Sequence, residues 1–164
     1  MKRASICLTQ LLLASLIVVG CTTAGSTSKS GAAPGAARSA SEGIILSGID
    51  QSALPKGKCG MILWTVDEAR PKSIFRFISG DDAEVGLNGS LVQLPLIEAS
   101  GANSYGVSEW QAFVSDRGVR IDVKVKFGIG FEGGSYLQEG IISVEDPTGW
   151  RTVAPAAGIA GCRT

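Results

Sequence analysis

From Pro55 onward, apolar and polar positions run in short stretches broken by turn residues. "CGMILWTV" (59–66) and "SIFRFIS" (73–79) are rich in β-branched and aromatic side chains, and "DEARPK" (67–72) between them reads as a polar turn. "AEVGL" and "SLVQL" flank Asn88-Gly89. That pair predicts a type I′ hairpin, because such a turn needs positive φ at both central residues. In "VRIDVKVKF" (119–127), Val119, Ile121, Val123, Val125 and Phe127 alternate with Arg120, Asp122, Lys124 and Lys126. This is the period-2 pattern of a strand with one wet face. "YGVSEWQAFV" (105–114) precedes it across "SDRG". "GSYLQEGIISVED" (134–146) and "WRTVAP" (150–155) flank "PTG", with Pro147 and Gly149 at positions those residues favour in a turn. The pattern predicts about eight strands with hairpin-sized connections and no amphipathic helix. The expected fold is all-β, an antiparallel small barrel or sandwich. About 110 residues are enough for one such domain.

The N-terminal part reads differently. Met1-Lys2-Arg3 is followed by an apolar run from Leu11 to Val19. A basic start and a short apolar run are the layout of a secretory signal peptide, and the run falls short of the roughly 20 residues a spanning helix needs. Residues 22–42 are almost entirely Ala, Gly, Ser and Thr. They offer no large apolar side chain to bury, so a flexible tether is expected there. In "GIILSGIDQSAL" (43–54), Ile44, Ile45 and Leu46 suit either an extra strand or a docked arm. The expected division is a signal peptide over 1–20, Cys21 and tether over 21–54, and a β-domain over 55–164.

Val18-Val19-Gly20-Cys21 resembles the lipobox of bacterial lipoproteins. The resemblance implies diacylglycerol on the Cys21 thiol, cleavage before it and acylation of the freed amine. Two or more acyl chains anchor a protein stably where one does not. Thr22 stands where an Asp often retains such proteins at the inner membrane, so the expected place is the outer membrane, facing the periplasm. Cys7 leaves with the signal peptide and Cys21 carries lipid. Cys59 and Cys162 remain, and in an oxidising compartment they are expected to pair. Closing so long a loop is worth about 4–5 kcal/mol in the chain-entropy model.

Composition then removes several chemistries. Loss of Lys2 and Arg3 lowers 15 basic residues to 13 against 15 acidic, a net charge near −2. That gives no electrostatic case for nucleic acid. The chain has no histidine, which excludes a Ser-His-Asp triad, a Cys-His pair and any His-based metal site. No metal or cofactor is expected, and the chain does not read as an enzyme. "GIGFEG" (128–133) matches G-x-G-x-x-G, but it leads into a strand rather than a helix, so it reads as a glycine-rich turn. Asp67-Glu68, Asp81-Asp82-Glu84 and Glu145-Asp146 all fall in predicted turns, without the spacing of a calcium loop. Trp64, Trp110 and Trp150 are expected to fill the core or cover an open barrel end.

The most specific internal stretch is "VQLPLIEASGANSYGVSEWQAF" (92–113), read as a strand, a Ser/Gly/Ala/Asn corner and a second strand. With Leu94, Ala99, Ser100, Gly101 and Ala102 in one run, and Cys59 and Cys162 at the two ends, it resembles the membrane-bound inhibitors of C-type lysozyme. Those are envelope lipoproteins with a small antiparallel β-barrel, in which the corner serine and a later lysine enter the lysozyme cleft. Here Tyr105 sits one position late and Trp110 early. The family's lysine position falls at Val114, with Arg117-Gly118 as the nearest echo of its Lys-Gly pair. The resemblance implies a non-catalytic, partner-binding β-domain, with Ser100, Tyr105 and Arg117 as candidate contacts and a lysozyme as candidate partner. The alternatives are a structural or assembly lipoprotein of the outer membrane, and a small-ligand carrier with an open barrel interior.

Overall fold

A computed structural model describes residues 43–164, apart from Ser52 and Asp67. Ten strands are present: β1 (Leu46–Ser47), β2 (Cys59–Thr65), β3 (Ser73–Ile78), β4 (Ala83–Leu87), β5 (Ser90–Leu94), β6 (Leu96–Ser104), β7 (Val107–Val114), β8 (Arg120–Phe131), β9 (Gly134–Glu145) and β10 (Arg151–Cys162). All pair antiparallel in one sheet, in the order β1-β4-β3-β2-β10-β9-β8-β7-β6, with β5 on the far side of β4. The expected all-β antiparallel fold is present, in ten strands rather than eight.

The hydrogen-bonded ladder does not close into a barrel. β5 pairs with β4 and β6 pairs with β7, while β5 and β6 meet only through Pro95. Proline has no N–H to give a ladder, so the chain changes partner there. The sheet still curls strongly. Phe75 and Phe77 of β3 and Phe113 of β7 stand five strands apart in the sheet, yet each β3 ring lies 5.4 Å from the Phe113 ring, edge to face. These three rings, with Met61, Leu63 and Leu137, fill the interior. An open apolar interior, the requirement of a small-ligand carrier, is not what these side chains leave.

The expected hairpin at Asn88-Gly89 is present, with φ +50° and +77°. The Asn88 side chain does more than turn the chain: its Oδ1 accepts the Ile45 N–H at 2.8 Å. That bond draws in β1, which pairs with β4 through Leu46 and Ser47. The β-domain therefore starts before Pro55. Beyond β1, the Ala53 carbonyl accepts a hydrogen bond from Arg76 at 3.0 Å and Leu54 is buried, so this arm is docked.

Four further expectations change. Residues 96–104 form β6 and not a corner, and β10 runs on from Pro155 to Cys162. No tryptophan is in the core: Trp64 and Trp110 are half-buried and Trp150 is exposed, the rings inside being phenylalanine. Glu84 lies in β4 rather than in a turn. The Cys59–Cys162 disulfide is formed, across 103 positions of chain. It joins β2 to β10, which are neighbours in the middle of the sheet, so it does not guard an edge.

Candidate functional site: the β6–β7 hairpin

Ser100 lies on β6 opposite Trp110 of β7, with its side chain in solvent. Beside it the ladder slips by one residue between Ser100 and Asn103. Gly101 sits in this bulge at φ +87°, a conformation that glycine adopts without a Cβ penalty. Asn103 Nδ2 then donates to Ser108 Oγ at 2.9 Å and restores the pairing. Tyr105 and Gly106, at φ +57° and +74°, form a second type I′ turn. A Cβ on Gly106 would overlap the Ser79 side chain, so this turn rests against the β3–β4 connection. Tyr105 is half-buried on the edge of the core.

The structure thus brings Ser100 and Tyr105 onto one hairpin. Arg117 is elsewhere. It lies in the β7–β8 connection, at the opposite end of β7 from Tyr105. That connection is held by Ser115, whose Oγ accepts the Val119 N–H at 3.1 Å and whose carbonyl accepts the Gly118 N–H at 3.0 Å. Arg117 instead lines a cleft of about 780 Å³ between β5 and the β7–β8 connection, with Asp82 and Asp116. The three candidate contacts do not form one patch. Cys21 lies outside the described residues.

What the hairpin offers is backbone. All of β6 from Leu96 to Asn103 is exposed, and among the described residues its only partner strand is β7. The strand ends the sheet and carries an unpaired row of N–H and C=O groups. Its side chains between Ala99 and Ala102 are small, so an approaching strand meets no bulk there. Glu98 and the bulge at Gly101 are devices that discourage indiscriminate pairing.

The carboxylates have structural partners. Asp81 pairs with Lys58 at 3.2 Å and Glu145 with Arg151 at 3.2 Å. Glu84 accepts Arg76 Nε at 2.8 Å directly across β3 and β4. Asp146 Oδ1 accepts the Thr148 hydroxyl at 2.6 Å and the Thr148 and Trp150 amides at 2.8 and 2.9 Å. The Thr148 hydroxyl, and after it these amides, hold the Asp146 carboxyl below the usual carboxylate range. Among the described residues no three His, Cys, Asp or Glu side chains are grouped to hold a metal ion. The glycines of "GIGFEG" lie on β8 and in the β8–β9 turn, with Gly133 at φ +82°.

Sequence reasoning missed two groups. The Arg76–Glu84 pair is nearly enclosed, with side-chain exposures of 7 % and 15 %. An arginine inside the otherwise apolar run "SIFRFI" was its signal. Gln111 is fully buried on β7, and neither polar atom of its amide finds a partner among the described residues. Comparison with protein-family models, with curated proteins and with solved structures finds no match to this chain.

Proposed function

We propose that this chain is a lipid-anchored protein of the bacterial cell envelope whose β-domain binds a protein partner without catalysis. The observation that carries the reading is β6: a nine-residue terminal strand, paired on one side only and exposed from Leu96 to Asn103. A partner segment in extended conformation would add beside it as an eleventh strand. Main-chain hydrogen bonds would supply affinity, and Ser100 and Glu98 would supply specificity. The disulfide fits an exported protein, since such bonds persist in oxidising compartments. The lipobox-like Val18–Cys21 supports a lipid anchor, and Thr22 in place of Asp supports the outer membrane.

A lysozyme is the sharpest candidate partner. The hairpin carrying Ser100 and Tyr105 supports it. Arg117 does not, because it belongs to the other end of β7. The test places a photo-crosslinking residue at Ser100 of the full chain in intact envelopes, with Lys124 on the charged face of β8 as control. A discrete protein adduct from Ser100 and none from Lys124 is expected. No adduct from Ser100, or equal adducts from both, removes the hairpin as the binding site. Titrating the full chain against a C-type lysozyme decides that partner. Stoichiometric loss of lysis, abolished by Ser100→Arg, is the expected result, and unchanged lysis at micromolar excess removes lysozyme.

A further inference from the structure

The outward face of β10 has the wrong polarity for water. β10 lies between β2 and β9 in the sheet. Its inward side chains, Ala156 and Ala160, belong to the core. After Arg151, which opens the strand and pairs with Glu145, its outward positions are Val153, Pro155, Ala157 and Ile159, none of them polar. Trp64 of β2 stands opposite Ala157, Tyr136 of β9 opposite Ile159, and Ile141 of β9 opposite Pro155. An antiparallel sheet with one wet face normally alternates apolar-in with polar-out. This molecule obeys that rule on β8, where Arg120, Asp122, Lys124 and Lys126 point outward. On β10 it breaks the rule, and the described chain covers only the Ile159 end, where Leu54 of the arm lies beside Ile159 and the buried Ile62. Val153 is 56 % exposed and Tyr136 53 %. Two shallow apolar depressions flank Ile159: one of about 550 Å³ towards Trp64 and Tyr136, one of about 300 Å³ towards Leu54 and Phe131.

The course of the chain says what covers it. Gly43 lies against the Trp150 indole, one residue before β10 begins. Ile44 next to it accepts a hydrogen bond from Thr152 at 3.0 Å on the inward side of β10, so the stretch between Cys21 and Gly43 joins the domain beside the start of this strand. Its 21 residues reach about 70 Å at most, whereas twelve-residue β10 is about 40 Å long. A lipid on Cys21 thus keeps the whole face within reach of a bilayer, where even a weak contact is favoured by its high effective concentration.

We propose that this face lies on the bilayer that holds the Cys21 lipids. The proposal rests on the lipoprotein reading given above. A bilayer surface suits the chemistry. Trp64 and Tyr136 have apolar rings with one polar atom each, the side chains that collect at the headgroup level. Val153, Ile141 and Ile159 bury into the acyl boundary, and the depressions beside Ile159 accept acyl-chain ends. The Lys126–Glu139 pair, 3.2 Å apart and exposed, borders the face on its β8 side, at the level of the headgroups. The β6 edge, which ends the sheet three strands beyond β9, stays open to a partner.

The test uses the full lipidated chain in phosphatidylethanolamine–phosphatidylglycerol vesicles with brominated acyl chains. One variant keeps Trp64 alone of the three described tryptophans, with Trp110→Phe and Trp150→Phe. The other keeps Trp110, which stands opposite Lys124 on the charged side. Bromine is expected to quench Trp64 at least about twofold more than Trp110, and Ile159→Asp is expected to abolish the difference while the protein still floats with vesicles. Equal quenching in floating protein overturns the proposal and leaves the lipoprotein reading intact. Trp64 shielded from acrylamide but untouched by bromine, with crosslinks from Val153 to a second copy, overturns it in favour of a dimer. Protein that does not float, with unmodified Cys21 by mass spectrometry, overturns both.

Discussion

Gln111 is the residue whose chemistry fits its surroundings least. A buried amide without partners costs about 1–3 kcal/mol of desolvation, and nothing among the described residues offsets it. Gln111→Met keeps the length and removes the polar atoms. Its denaturant midpoint should move up by the equivalent of about 1 kcal/mol or more, and a fall would mean the amide has a partner in solution. Arg76 and Glu84 are the opposite case, a nearly enclosed pair in which Arg76 Nη1, the guanidinium nitrogen that Glu84 does not engage, donates to the Ala53 carbonyl. Removing one partner strands the other charge. Arg76→Met and Glu84→Gln should each cost about 3–5 kcal/mol by urea unfolding, and the double variant much less than their sum. Asp146 titrates differently in the folded chain. Its folded pKa is lowered, so its contribution is full above the unfolded value near 3.9 and fades as pH falls toward the folded one. Asp146→Asn cannot titrate, so its Tm should fall less steeply than that of the parent below about pH 4; parallel curves would refute the assignment. These features were only partly legible. Arg76 stands out in an apolar run, whereas nothing about Gln111 in "EWQAF" marks it as buried.

At the scale of elements, the strands with strong side-chain signals were legible, and β6 and the second half of β10, with weak ones, were not. β8 and the Asn88-Gly89 hairpin follow from alternation and turn chemistry alone. β6 is rich in Ala, Ser and Gly, and β10 ends in "AAGIAG"; neither composition favours a strand by itself. β10 is extended because β2 and β9 both pair with it, seven residues on one side and ten on the other. Its small side chains then have a use: Gly158 and Gly161 lie against neighbouring backbone where a Cβ would collide. The disulfide belongs to this scale. Cys59 and Cys162 are already the last pair of the β2–β10 ladder, so the bond adds no new contact to the folded state. Its effect falls on the unfolded chain. Cys59→Ser with Cys162→Ser should remain folded and lose about 4–5 kcal/mol, measured by guanidinium unfolding. Loss of the native near-ultraviolet dichroism in the variant would show that the bond also holds the ladder in place. At the candidate site, the run Ala99–Ala102 was visible as a place of small residues, but its being a free edge was not. That property depends on Pro95 handing the chain from β4 to β7, a matter of which distant strands lie near.

At the scale of the whole molecule, the outer surface is divided. One side, on β8, carries alternating charges; another, on β10 with parts of β2 and β9, carries almost none; the sheet ends in an open strand. The proposals give each region its own neighbour: water, bilayer and partner. Most of the strand pairings join consecutive strands, but β2 with β10 joins the two ends of the domain, and closing so long a loop slows folding. Refolding from urea with the disulfide intact should be markedly faster than with both cysteines changed to serine, because the covalent link pre-forms the longest-range pairing. Equal rates in stopped-flow fluorescence would show that β2 and β10 meet only after the rate-limiting step.

The central place of β10 bears on how the protein is made. Synthesis delivers the chain from its amino end, so β2 and β9 exist for a time with nothing between them. Until residue 162 has emerged, each presents a bare ladder, and the apolar interior has no wall on that side. A nascent chain of this design has no native structure to settle into early. On the envelope reading proposed above, it would stay threadable through a narrow translocation channel and complete itself on the far side, where thiols are oxidised, with its last strand as the keystone.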